Sequence, residues 1–213
     1  AGINRFVHIS AIGADAESPS DYARTKALGE QAVFETIPDA TVMRPSIVFG
    51  PEDNFFNQFA GLAQVMPALP LIGGGHTRFQ PVFVGDVATA IVDAVEGKAK
   101  QAAVYELGGP EVRTFRECLE LMLEIIDRKR LLVPLPWSLA SFAAAFLQYL
   151  PGQLLTPDQV RLLQSDNVVS EDAERENRTL AGLGIEPTNL AAILPSYLSR
   201  FRTHGQFHDR RMA

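Results

Sequence analysis

Cysteine and tryptophan each occur once in the 213 residues, as Cys118 and Trp137. One thiol excludes a disulfide framework and a cysteine-based zinc site, and it fits a reducing compartment. Positive charge is short as well. Nineteen Lys and Arg against 25 Asp and Glu leave a formal charge of −6, so the electrostatic footprint of a nucleic-acid partner is missing. His76, His204 and His208 are too scattered to hold a metal, and no carboxylate spacing completes a site around them. No apolar run reaches the ~20 uninterrupted residues of a membrane-spanning helix. There is no low-complexity tract, heptad or internal repeat, and a composition of 46% hydrophobic and 21% charged residues excludes intrinsic disorder.

The absence with most weight is a glycine-rich turn after the first strand, with a charged selector about 20 residues further on. Gly73-Gly74-Gly75 has no helix directly after it and reads as a flexible loop; Gly182-x-Gly184 lacks a third glycine. Ala1-Gly2-Ile3-Asn4-Arg5 shows no signal-peptide pattern and leads at once into the apolar run Phe6-Val7-His8-Ile9. The expectation is a chain that starts partway into a domain, with an unpaired strand edge and a tendency to aggregate when expressed alone.

Strand-like runs fall at residues 5–10, 41–49, 81–84 and 103–107, and helical patterns lie between them. Ser18-Pro19 opens the first helix, residues 53–66 fill a second, and a third runs from Asp86, read as its N-cap, to Val95 before Gly97. Thr114-x-x-Glu117 and Thr156-Pro157-x-Gln159 are capping boxes, and a last helix covers about 189–202. Strands alternating with helices predict an α/β fold with a mostly parallel sheet. His8 reads as a satisfied core residue and Cys118 as inert core.

From Leu131 to Leu155 no residue is charged. Pro134, Pro136 and Pro151 confine the apolar stretch to a short helix from Trp137 to Leu150, too short to span a bilayer. One reading is a buried helix. The other is a helix left partly exposed, meeting a membrane surface or a hydrophobic partner. The basic Arg200, Arg202, Arg210 and Arg211 read as a solvated tail or as a contact for acidic headgroups.

Tyr22-x-x-x-Lys26 puts a phenol and an ammonium on one helix face. Such a charge would lower the phenol pKa from about 10, and the phenol could then exchange a proton with a carbonyl or alcohol oxygen, with Ser10 as a second hydrogen-bond donor. The next strand exits through Arg44-Pro45-Ser46-Ile47-Val48-Phe49-Gly50-Pro51, at the carboxyl edge of the sheet where α/β proteins place ligands.

These segments, with Pro81-Val82-Phe83-Val84-x-Asp86-Val87-Ala88 and Tyr105-Glu106-Leu107-Gly108-Gly109-Pro110, resemble the extended or atypical short-chain dehydrogenase/reductase superfamily. A narrower resemblance, carried by residues 22–30, by Phe49-Gly50-Pro51-Glu52-Asp53-Asn54-Phe55 and by Leu183-Gly184-Ile185-Glu186-Pro187, is to the nucleotide-binding accessory subunit of respiratory complex I and its bacterial relatives. The style of the sequence is bacterial. The resemblance implies the C-terminal part of a Rossmann-like doubly wound parallel sheet, over residues 1–50 and 81–110. A smaller, mostly helical cap or substrate domain would cover 51–80 and 111–213. It implies a catalytic set of Tyr22, Lys26 and Ser10, with Ser18 or Ser20 as alternative donors. The cofactor is NAD(P), expected as NADPH although its selector is not in the sequence, held by Tyr22, Lys26, Pro45, Ser46, Ile47 and Val48. Two functions stay open: an NAD(P)-dependent oxidoreductase, epimerase or dehydratase acting on an unknown small molecule, and a non-catalytic accessory or assembly subunit of a respiratory complex. The expected location is the cytoplasm, with peripheral contact at the inner face of the membrane through 131–155.

Overall fold

Short apolar runs of β-branched residues become parallel strands where helices can cover both faces. The computed structural model describes residues 5–149 and 155–203. In order, the elements are β1 (Val7–Ile9), α1 (Asp21–Thr36), β2 (Thr41–Pro45), β3 (Val48–Phe49), α2 (Phe56–Val65), β4 (Ala68–Ile72), β5 (Arg78–Phe79) and β6 (Val82–Phe83). Then come α3 (Val84–Glu96), β7 (Ala103–Leu107), β8 (Arg113–Thr114), α4 (Phe115–Ile125), β9 (Leu131–Leu135), α5 (Trp137–Leu147), α6 (Pro157–Leu162), α7 (Glu171–Arg175) and α8 (Leu190–Leu198). Gly2, Leu150, Pro151, His204, His208, Arg210 and Arg211, each of which entered the sequence reading, lie outside the described residues.

β1, β2 and β7 form a parallel sheet in that order, β3–β6 and β4–β9 are parallel pairs, and β5–β8 is antiparallel. The fold is α/β, as the alternation of patterns implied. β1 lies at its sheet's edge among the described residues, with Phe6 and Ile9 exposed.

Several expectations are corrected locally. The run 41–49 is two strands, because Ser46 and Ile47 leave the ladder to bond a distant asparagine, Asn167. Leu131–Leu135 is a strand beside β4, and Pro134 is tolerated there because the pair has an open edge. The N-cap of α1 is Ser20, whose hydroxyl accepts from Ala23 N. Asp86 sits inside the first turn of α3 and accepts from the backbone and hydroxyl of Thr188 at 2.7 and 2.9 Å. α3 ends on Gly97 at φ +95, where a β-carbon would strike the Arg5 guanidinium. Both capping boxes form as read. His8 Nε2 is buried without a hydrogen-bond partner, so His8 is not the satisfied core residue expected.

The apolar side chains gather in two clusters. One joins Phe49, Phe56, Leu69, Phe115, Leu119, Met122, Ala140, Ala144 and Leu194. The other joins Met43, Val82, Val87, Ala90, Tyr105, Leu107 and Leu180 along the three-stranded sheet. Cys118 is fully buried in the first, and burial pushes its thiol up to about 12, which fits inert core. Arg44 of β2 ties that strand to α1 through bonds of 2.8 and 2.6 Å to Glu30, with Glu106 3.8 Å away. Glu30→Ala strands a half-buried guanidinium and is expected to cost about 3 kcal/mol, measured as a lower denaturant midpoint. A loss under about 1 kcal/mol, the scale of an exposed pair, would mean that Glu106 suffices.

Candidate active site

The loop after β1 feeds α1, and its N-terminus is held from outside. Asp158, in the first turn of α6, accepts from Asp21 N at 2.8 Å, Tyr22 N at 3.1 Å and Ser20 Oγ at 3.0 Å. Tyr22 and Lys26 stand one turn apart on the same face of α1. The Lys26 ammonium lies over the Tyr22 ring, 5.6 Å from its centroid, and donates to Ile9 O at 3.4 Å. The Tyr22 hydroxyl has no hydrogen-bond partner among the described residues. Burial raises its pKa above the ordinary phenol value, opposite to the lowering expected from Lys26. The reason is geometric, since the ammonium sits over the ring face and burial dominates. A phenol of this kind is protonated at pH 7 and poised to donate.

Tyr22 lines a cavity of about 420 Å³ whose wall also takes in Ala11 to Gly13, Pro45, Ser46 and Ile47. That volume is in the range of small-molecule sites. Three expected site residues are not on its wall. Lys26 stands behind Tyr22, Val48 pairs with Val82 in the β3–β6 ladder, and Ser10 is buried with its hydroxyl unpartnered. Of the alternative donors, Ser18 lines the cavity, whereas Ser20 is committed to the helix cap and Asp158.

Asn167 closes the far side. Its carboxamide oxygen accepts from Ser46 Oγ at 2.7 Å and Ile47 N at 3.1 Å, and its amide donates to Ile12 O at 3.0 Å. Its backbone extends the β5 edge through Arg78 O and Gln80 N. Ser46, expected to face the nicotinamide, therefore spends its hydroxyl on Asn167.

Residues 13–136, more than half of the chain, match the family model of the RmlD substrate binding domain. The chain belongs to that family. It is 37% identical over 214 residues to NADH dehydrogenase (ubiquinone) 1 alpha subcomplex subunit 9, mitochondrial, of Arabidopsis thaliana, an alignment covering 96% of this chain and 52% of the relative. The chain spans about half the length of the curated relatives it matches. Among solved structures, DesIV, a dTDP-glucose 4,6-dehydratase from Streptomyces venezuelae with NAD and TYD bound, is similar at TM-score 0.63 and 20% identity, over 99% of this chain and 62% of that one. RMD from Pseudomonas aeruginosa complexed with NADPH is similar at TM-score 0.60 and 16% identity, over 93% of this chain and 66% of that one. The fold is the Rossmann-like one of the short-chain dehydrogenase/reductase superfamily.

Tyr22, Lys26 and Pro45 to Val48 fall inside the matched stretch of this RmlD-type domain; Ser10, Asp158 and Asn167 fall outside it. Sequence reasoning missed the last two. Asp158 had a faint signal, as an acidic residue inside the box Thr156-Pro157-Asp158-Gln159, but that box speaks for α6 and says nothing of α1. Asn167 had none. Burial works against the Asp158 charge, but the bonds from Tyr22 N, Asp21 N and Ser20, with Arg161 nearby, outweigh it and hold the carboxyl below its usual value. A group shifted down contributes stability above the unfolded pKa of about 3.9 and loses it as pH falls through the folded value. Asp158→Ala is expected to cost about 1–2 kcal/mol at pH 7. Melting curves of the two proteins should converge as pH falls through the folded value. A gap that persists at low pH would mean the loss is one of packing.

Proposed function

We propose that this RmlD-type domain is the substrate-side part of a nicotinamide-dinucleotide-dependent short-chain dehydrogenase/reductase, working as an oxidoreductase or as an epimerase/dehydratase. The observation that carries the reading is the unpartnered Tyr22 phenol on a cavity wall shared with Pro45 to Ile47, with Lys26 one turn behind it. Residues 1–50 and 81–110 would serve the dinucleotide, and 51–80 with 111–213 the substrate.

The residues fit a nicotinamide and its ribose. The Tyr22 hydroxyl is open, the Lys26 ammonium spends one donor on a long bond, and the Ser10 hydroxyl is buried without a partner. A bound nicotinamide supplies or accepts a hydride. The chain does the rest: Tyr22 gives a proton to the substrate oxygen or takes one from it, Lys26 supplies charge beside the phenol and donors to the ribose, and Asp158 fixes the backbone of Tyr22. DesIV and RMD were solved with NAD and NADPH; NADPH is the form proposed here. Titrating the full-length protein with NADPH and with NADH, followed by nucleotide fluorescence, tests the reading. Saturable binding that weakens in Lys26→Ala is expected, and no binding of either nucleotide would end it.

A second reading is favoured by one observation, the bare apolar face of α5, where Leu139, Phe142, Phe146 and Tyr149 are exposed. With relatives named as respiratory-complex subunits, it supports a non-catalytic accessory role, peripheral at the inner face of the membrane. A peripheral membrane contact is compatible with either reading, and turnover separates them.

A further inference from the structure

The cavity has an unexpected wall for a family whose solved neighbours include an enzyme of nucleotide-activated sugars. Phe55, Phe59, Phe79 and Phe115 line it as one cluster of rings, Phe55 and Phe59 half-buried and Phe79 and Phe115 buried, with ring centroids 5.4 Å apart for Phe55 and Phe59, 5.9 Å for Phe55 and Phe115, 5.3 Å for Phe59 and Phe115, and 6.4 Å for Phe79 and Phe115. Leu162 and Leu163 complete the surface.

Charge is scarce on the same wall. Among the described lining residues Arg161 is the only cation, and it leans 3.8 Å from Asp158, which holds α1. Asp166 is the only anion, and it is taken by the backbone and guanidinium of Arg78 at 2.8 Å each. Most of the polar lining groups are neutral. Ser46 and Asn167 bond each other, the Gln159 carboxamide accepts from Thr156 N, and Ser18, Asn54, Gln58, Gln164 and Ser165 are uncharged hydroxyls and amides. A diphosphate brought here would lose its hydration and meet one shared guanidinium among neutral amides and hydroxyls, where anion sites draw their strength from charge-assisted bonds.

We infer that this cavity selects a neutral, largely apolar carbonyl compound, an aromatic or isoprenoid aldehyde or ketone, and rejects sugar nucleotides. The aromatic wall buries the hydrocarbon body and leaves the carbonyl oxygen to the Tyr22 hydroxyl, the open donor of the same cavity. The inference deepens the reductase reading and rests on it for the role of Tyr22.

The test is calorimetric titration of the full-length protein with benzylideneacetone, geranylacetone, UDP-glucose and dTDP-glucose, each with and without NADP. The ketones are expected to bind at least about tenfold tighter than either sugar nucleotide, and Phe59→Gln to weaken the ketones by about tenfold, the scale of one lost apolar contact. Leu162→Gln, at a position already 37% exposed, should act in the same direction without lowering the melting temperature, which covers the case of a Phe59 variant that misfolds. Tighter binding by a sugar nucleotide, no ketone binding, or ketone affinity unmoved in both variants overturns the inference. A parallel titration with NADPH keeps the outcomes apart. NADPH binding without ketone binding sinks the substrate class and spares the reductase reading, while ketone binding without NADPH binding does the reverse.

Discussion

Tyr22→Phe in the full-length protein is expected to abolish NADPH-dependent carbonyl turnover, by about 10²–10⁴-fold, and to leave NADPH affinity within about twofold. The substitution removes one hydroxyl, which has no hydrogen-bond partner among the described residues, so the fold loses nothing that it uses. The ring stays beneath the Lys26 ammonium, and the cavity wall keeps its shape. What disappears is the proton for the substrate oxygen. Lys26→Ala separates from it in the other parameter, because it removes donors as well as charge, so nucleotide affinity and turnover should fall together. A Tyr22→Phe protein that turns over at the wild-type rate would remove Tyr22 as the proton donor, whereas a wild-type protein that binds NADPH and turns over no carbonyl compound would leave the accessory role standing.

The second large effect concerns α5. Ala140 and Ala144 are buried against the core, and Trp137 packs there too, its ring over Gly73. The triplet Gly73–Gly75, expected to be a loose loop, is thus a tight turn beneath a tryptophan. The opposite face carries Leu139 at 53%, Phe142 at 65%, Phe146 at 63% and Tyr149 at 82% exposure, and the two Phe rings lie 5.1 Å apart, edge to face. Lys129, two residues before the exposed Leu131, is exposed and suits anionic headgroups, whereas Arg128 and Arg130 are half-buried and donate to Phe201 O and Ala63 O. No helix among the described residues is long and apolar enough to cross a membrane, so the contact proposed is peripheral, with a lipid surface. In flotation with vesicles containing phosphatidylglycerol, full-length wild type should rise with the lipid. Phe142→Glu with Phe146→Glu should lose at least about 3 kcal/mol, a hundredfold in partitioning. Equal flotation of both proteins, or a wild type that stays at the bottom, would overturn the lipid contact.

The sequence made the periodic features plain and the long-range ones invisible. Thr114 with Glu117, and Thr156 with Gln159, announced their helices because a capping box is closed within four residues. Tyr22 and Lys26 could be set on one face for the same reason. The bare side of α5 was foreshadowed by the lack of charge from 131 to 155. By contrast, β5 and β8 are two residues each, and Phe79 of β5 meets Phe115, the residue after β8, only in the folded chain. The split of β2 from β3 depends on Asn167, more than a hundred residues away. The phenol of Tyr22 shows why chemistry is harder to read than shape. Helical spacing brought an ammonium near it, but burial, a property of the whole fold, decided the direction of its pKa.

Asp158 and Asn167 belong to one short stretch, and they grip opposite sides of the same cavity, α1 through three bonds and the β2 exit through two. Surface loops usually accept added residues at little cost. This stretch, the body of α6 and the turn after it, is a spacer of fixed length. An added or deleted residue between 158 and 167 would leave each anchor able to reach only one of its targets, so Tyr22 and Ser46 would move apart or one would be released. For protein engineering, residues 159–166 are therefore a poor place to insert a tag or graft a loop, even though much of that stretch lies at the surface. Length variation across this stretch should also be scarce among proteins that keep the Tyr22 pair working, whatever substitutions they tolerate within it.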